Sequence, residues 1–204
     1  MDEIFNKRLG VDLNCHPRPW KRAQANVNRG VADFLITVPT DDRLKYSIKS
    51  KQPIFQLYMH VYTYADHPLI ENIKNIKNIK NIKTVQDIVR LGLIPVTNRG
   101  NGWHKENIDS FGASTHYVNL DEDIIKFLAA KRADIMIDAA ITTNYKIKNL
   151  GLSSKSEFTE VRFGPVNFHM LMSKKAKAMR LMPAIDAAIK SMIDKGILEK
   201  ITLV

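Results

Sequence analysis

Cysteine is nearly absent: Cys15 stands alone in 204 residues. That excludes an internal disulfide and a zinc site built from thiolates, since Cys15 and His16 supply two ligands at most. Long apolar runs are missing too, and no stretch of about eighteen apolar residues exists that could span a bilayer. The opening Met1 to Gly10 is charged and amphipathic, without the apolar core and small-residue cleavage site of a secretory signal. Either the protein is cytosolic or this chain lacks its true beginning. Zinc-finger spacing, an aromatic RNA-binding signature and a basic zipper are also lacking. These absences matter because 31 Lys and Arg against 21 Asp and Glu leave a net charge of +10, which alone would admit nucleic acid or anionic lipid. The basic residues are spread along the chain outside 74–83 and 174–177. They read as a solvated positive surface, with no nucleic acid expected as partner. No nucleophile with a base at suggestive spacing and no Gly-x-Ser-x-Gly elbow occurs. His16, His60, His67, His116 and His169 show no ligand spacing, so they read as structural, and no metal or cofactor is expected.

What is present is a globular composition, 45% hydrophobic and 25% charged, suited to one large domain or two small lobes. Residues 1–9 read as the end of a helix stopped by Gly10, followed by a short strand at Val11–Leu13. Trp20, Ala23 and Val27 recur at helical spacing up to Gly30, and Ala32–Val38 is a compact apolar run suited to a buried strand. Pro39–Arg43 reads as a polar loop and Ile54–Tyr64 as a second strand. This strand, helix, strand alternation predicts an α/β fold. It restarts later. Thr84 and Asp87 have the spacing of a capping box before a short helix ended by Gly92. Leu93–Thr97 reads as a strand that Pro95 confines to an edge, an end or a bulge. A turn over Asn98–Gly102, a helix from Trp103 to Phe111, a strand at Tyr117–Asn119, a helix over Asp121–Lys131 and a strand at Ala133–Ile137 follow. Glu160–Phe163 and Val166–Met172 read as strands around Gly164-Pro165. A closing helix over Lys175–Ile193 carries Met179, Met182, Ile185, Ala188, Ile189 and Met192 on one side, as packed core.

Between the two alternations the triplet Asn-Ile-Lys occurs four times, over Asn72–Lys83. A period of three drifts about 60° per copy around an α-helix and holds no single buried stripe. The tract reads as a linker or surface excursion, and deleting Asn75–Lys83 is expected to leave stability nearly unchanged.

Six segments in order span nearly the whole chain: Trp20-Lys-Arg-Ala23, Gly30-Val-Ala-Asp33, Thr40-Asp-Asp-Arg43, Thr84 to Thr97, Lys131-Arg-Ala-Asp134, and the terminal helix from Ile185-Asp186 to Asp194-Lys-Gly196. Together they resemble the type 2 periplasmic solute-binding proteins, and more narrowly the family 3 extracellular solute-binding proteins that serve polar amino acid importers. The resemblance implies two Rossmann-like α/β lobes with a ligand in the cleft between them. Lobe 1 would combine 1–64 with 168–204, and lobe 2 would span 65–167. It implies a chain that begins inside the first helix, with the first strand missing and a stability below that of an N-terminally extended version. It further implies a periplasmic monomer that binds a small polar solute without catalysis, partnered by the membrane permease of an ABC-type importer or by a signalling receptor. A dehydratase-like enzyme on the same fold and a basic nucleic-acid-binding module are the competing readings.

By the same resemblance, Arg43 at the end of the Thr40 loop pairs with the ligand's carboxylate, for which a guanidinium offers two parallel donors. A surface ion pair with Asp41 or Asp42 is the alternative. Asn98, Gly100 and Gly102 belong to a turn whose backbone N–H groups could hold the same anionic end. Trp103 walls the cleft or simply packs, and Trp20 and Phe34 are apolar walls or core. Asp138 is the candidate for the ammonium-binding carboxylate. It lies one residue before the family's position, which Ala139 occupies, and therefore faces the other side of its strand. Ile36 and Val38 stand where the family has small hydroxyl residues.

Overall fold

The structure, a computed structural model, describes residues 1–70 and 82–198. After a π-helical segment Glu3–Leu9 come α1 (Trp20–Arg29), β1 (Phe34–Thr37), α2 (Asp41–Tyr46), β2 (Ser47–Lys49) and β3 (Phe55–Tyr64). Then follow α3 (Val85–Arg90), β4 (Pro95–Asn98), α4 (Gly102–Asn107), β5 (His116–Val118), α5 (Asp121–Ala129), β6 (Ile135–Ala139), α6 (Ala140–Asn149), β7 (Ser156–Ser173) and α7 (Met182–Asp194). The chain forms two compact units, Met1–Gln56 with Asn167–Val204, and Leu57–Val166. It passes from one to the other inside β3 and again inside β7. The division expected after Tyr64 falls at the far end of β3, because the strand itself makes the passage.

In the first unit, the last part of β7 is paired antiparallel with both β1 (Leu35 opposite Leu171) and β2 (Ile48 opposite Met172). Side chains on a strand alternate between faces. Met170 and Met172 therefore join Ile4, Phe5 and the stripe Met182, Ile185, Ala188, Ile189 and Met192 of α7 in one cluster, with Met179 partly buried against it. Leu171 points the other way, to Val27 of α1 and Leu35. Burying each such side chain is worth about 1.5–3 kcal/mol. Gly30 ends α1 at φ 78°, and a Cβ there would lie 2.8 Å from the Cβ of Lys175. Only glycine fits both demands.

Three local expectations change. Val11–Leu13 forms no strand: the Val11 N–H donates back to the Phe5 carbonyl at 2.9 Å, and Val11 and Leu13 pack on the methionine-rich cluster. The loop expected over Pro39–Arg43 becomes α2 from Asp41 onward, with Asp41 and Asp42 in its first turn, where acids suit the helix dipole. Glu160–Phe163 and Val166–Met172 are parts of one strand, β7, which continues through Gly164 (φ 113°).

In the second unit the strand order is β7-β3-β6-β4-β5. β3 runs antiparallel to β6, with Val61 opposite Ile137. β4 runs parallel to β6 (Val96 opposite Met136) and to β5. Tyr62, Val96 and Met136 face Ile124, Ile125 and Leu128 of α5 and Ile147 of α6, forming this unit's core. Pro95 opens β4, where its missing N–H leaves the ladder intact. The capping box at α3 is formed, with the Thr84 N–H donating to Asp87 Oδ2 at 2.9 Å. Burial raises the Asp87 carboxyl, but the N–H groups of Lys83 and Thr84 and the Arg90 side chain overcome it and hold it at about 2.

The repeat lies outside the described residues up to Lys80 and Asn81, but its last isoleucine does not. Ile82 is 1% exposed, and the Lys83 N–H donates to Asp87 Oδ2 at 2.9 Å. The surface-excursion reading of the tract therefore does not extend to Ile82, and deleting Asn75–Lys83 would set the identical Asn72-Ile73-Lys74 directly before Thr84.

Candidate functional site

Two residues far apart in sequence meet through strand register. Val96 and Met136 are paired across parallel β4 and β6. Two positions further along each strand, on the same face, stand Asn98 and Asp138. This face carries α5 and α6, so Asp121, which opens α5, and Lys146 of α6 join them. Asn98, Asn101, Asp121, Asp138, Thr142 and Lys146 line a cavity of ≈ 240 Å³ whose apolar lining includes Val96, Ile124 and Met136.

The polar groups are unequally engaged. Asp121 accepts from Asn98 Nδ2 at 2.6 Å and from Lys146 Nζ at 2.8 Å. Burial raises its carboxyl, but those two bonds outweigh burial and hold it below the usual range. Asp138 accepts from the Ala139 N–H at 2.8 Å. There burial wins over that bond and over the Lys146 charge, and pushes the Asp138 carboxyl up. Fully buried Tyr62 donates to Asn144 Oδ1 at 2.8 Å; burial raises its phenol and the nearby Asp138 charge adds to the effect. Asn101 donates to Thr97 Oγ1 at 2.9 Å and accepts from the His104 N–H at 3.1 Å, which seats the start of α4.

The other expected residues fall into two groups. Gly100 (φ 92°) lies in the turn after β4, and Gly102 opens α4. Trp103 is buried on α4, its carbonyl accepting from Asn107. In the first unit, Arg43 is 3% exposed. Its Nη1 donates to the Val38 carbonyl at 2.7 Å and its Nε to Gln24 at 3.1 Å, while the guanidinium lies 5.3 Å from the Trp20 ring centre. Thr40, at the start of α2, is buried, and among the described residues its Oγ1 has no hydrogen-bond partner. Phe34 stacks on Phe5 at 5.1 Å, within the packing around the methionine-rich cluster. Sequence reasoning missed Asn101, Asp121, Thr142 and Lys146. Asp121 reads as a helix-start acid, and Lys146 sits on a helix that no clear period announces, since Ile141 and Tyr145 are exposed on it.

A second polar group sits beside α4. His104 is fully buried, its Nε2 3.1 Å from Thr115 Oγ1, and Thr115 donates to Asp109 at 2.6 Å. Burial pushes the imidazole down to about 4, against the opposing pull of Asp109. His67 is held between Asp134 and the Leu69 N–H, at 3.0 Å from each. No group of three His, Cys, Asp or Glu side chains that could hold a metal ion occurs among the described residues, nor does a helix long and apolar enough to cross a membrane.

No family model matches the chain, and no curated protein matches it in sequence. Solved structures do match. An ancestral arginine-binding protein bound to glutamine superposes with TM-score 0.73 at 16% identity, over 98% of this chain and 82% of that one. An arginine transport system periplasmic binding protein from Legionella pneumophila gives 0.73 at 15%, over 98% and 83%. A histidine kinase sensor domain with similarity to periplasmic binding proteins gives 0.75 at 14%, over 96% and 79%. The chain has the α/β fold of the type 2 periplasmic binding proteins.

Proposed function

We propose that this protein binds a small polar solute, amino-acid-like or carboxylate-bearing, without transforming it, and delivers it in the periplasm to an ABC-type importer. The observation that carries this reading is the cavity of ≈ 240 Å³ in the second unit. It lies at the carboxyl ends of two parallel strands, where α/β sheets take ligands, and it combines apolar walls with a few directed polar groups. The neighbours support the solute class, being binding proteins for amino acids by their own descriptions. Arg43 and Thr40, with Trp20 beside them, are proposed as the contacts for the solute's carboxylate. A solute oxygen would satisfy the buried Thr40 hydroxyl. The sensor-domain neighbour favours a second reading, in which the same binding event reports the solute to a signalling protein.

Calorimetric titration and thermal melts against amino acids, polyamines and small carboxylates test this reading. The correct solute at about 100 times its dissociation constant stabilises the protein by about 2.7 kcal/mol, and it is recovered chemically unchanged. Arg43→Lys keeps the positive charge but loses the planar fork, and is expected to weaken a carboxylate-bearing solute while the protein stays folded. Silence across the whole panel, or turnover of the bound solute, would overturn the proposal.

A further inference from the structure

Positive charge without counter-ions gathers on one side of the first unit. Most of the net charge of +10 belongs to that unit. Helix α1 contains no acid. At about 100° per residue, its Arg22, Ala25 and Arg29 stand opposite Val27, the residue that the helix buries. Lys21, Arg22 and Arg29 are exposed. The helix ends at Gly30 against the backbone of Lys175, so exposed Lys175, with exposed Lys177 after it, adjoins the basic face. Among the described residues no ion pair within 4.0 Å involves any of these five cations, and Asp33, the acid that follows in the chain, pairs with none of them. The second unit is built differently: there Lys126, Lys131 and Lys146 pair with Glu122, Asp66 and Asp121. Val31 lies directly beyond Arg29 and Gly30 and is 74% exposed. Its N–H donates to the Asn26 carbonyl at 2.9 Å, which fixes this apolar residue at the end of α1, beside the cations.

We infer that this face docks on an anionic bilayer surface, with its cations among the headgroup phosphates and Val31 entering the interface. Each Lys or Arg near such a surface strengthens attachment by a factor of about five. Fluid headgroups gather around an array of separate cations without a preformed pocket, and an apolar side chain among those cations gains by leaving water. Nucleic acid suits the face less well. A single strand calls for exposed aromatic rings on which bases stack, whereas Trp20, the aromatic residue of α1, packs against the Val27 cluster. The solute cavity lies in the other unit, so docking and solute binding stand or fall separately.

Vesicle flotation of the full chain tests this. Phosphatidylcholine vesicles containing about 30% phosphatidylglycerol are expected to bind it at least about tenfold more tightly than pure phosphatidylcholine. Raising the salt from about 0.1 M to about 1 M is expected to abolish the difference. Replacing three cations of the face together, Arg22→Gln, Arg29→Gln and Lys175→Gln, is expected to weaken anionic-vesicle binding by about 100-fold, with the circular dichroism of the parent retained. Lys126→Gln, Lys148→Gln and Lys155→Gln on the second unit change the net charge equally, yet are expected to weaken it by less than about threefold. Val31→Ser is expected to weaken it by at least about threefold. Equal losses from the two triple variants, or an unchanged affinity in Val31→Ser, overturn the inference. A duplex oligonucleotide that binds the same face more tightly than the anionic vesicles also overturns it, in favour of nucleic acid.

Discussion

Asp138 is buried where its surroundings only partly offset the cost of a charge. Burial pushes its carboxyl up, and the Ala139 N–H and Lys146 offset this only in part. A carboxyl with a higher pKa folded than unfolded keeps its proton in the native state after the unfolded chain has lost it. Stability therefore falls as pH rises from the unfolded value of about 3.9 through the raised folded one, and stays lower above that. Asp138→Asn is accordingly expected to melt at a higher temperature than the parent at pH 7 without solute, with the gain shrinking toward zero near pH 3. Equal melting temperatures at pH 7 would show that Asp138 is balanced after all. His104 acts with the opposite sign: burial lowers it to about 4, so its contribution is lost as pH falls from about 6.5 toward that value. Asn98 was legible as part of a glycine-containing turn, and Asp138 through its place one residue before the family's carboxylate position. Their adjacency was not, because it depends on the β4–β6 register, which no local pattern encodes.

At the scale of elements, the segments with clean periodicity were legible: α1, β1, β3, α5, β6 and the buried stripe of α7. What escaped lacks a period to read. β2 has three residues, α2 follows a proline and is only six residues long, and α6 mixes buried Thr143 and Ile147 with exposed Ile141 and Tyr145. The repeat is the informative case. Its copies are identical in sequence, yet Ile82 sits immediately before the α3 cap, and the Asp87 carboxylate fixes the backbone at Lys83 and Thr84. Context converts the last isoleucine into core. Ile82→Ala is expected to destabilise the protein by about 2–5 kcal/mol, read from denaturant unfolding at an unchanged m-value. A loss under about 1 kcal/mol would return the residue to the surface role that its repeat suggests.

For the whole molecule, the α/β class and the order of weak motifs were readable, and they led to the fold that the solved structures share. The point of passage between units was not, since β3 and β7 each read as strands of uniform character. Each unit has its own core, and the second is a single continuous stretch, Leu57–Val166. Such a chain departs from two-state behaviour. Scanning calorimetry is expected to give a calorimetric enthalpy above the van't Hoff value, with a solute of the second unit's cavity moving one component more than the other. A ratio of one, with a single transition that shifts as a whole, would show that the two cores melt together.

The first unit's core is rich in sulfur: Met170, Met172, Met182 and Met192 lie in one cluster with almost no exposure. Peroxide converts accessible thioethers to polar sulfoxides that such packing does not accommodate. While the unit is closed these four side chains are shielded, and each opening exposes them together. Their oxidation rate, followed by peptide mass, is thus a clock for the opening of that unit alone, and each oxidised molecule is one that packs less well when it closes again.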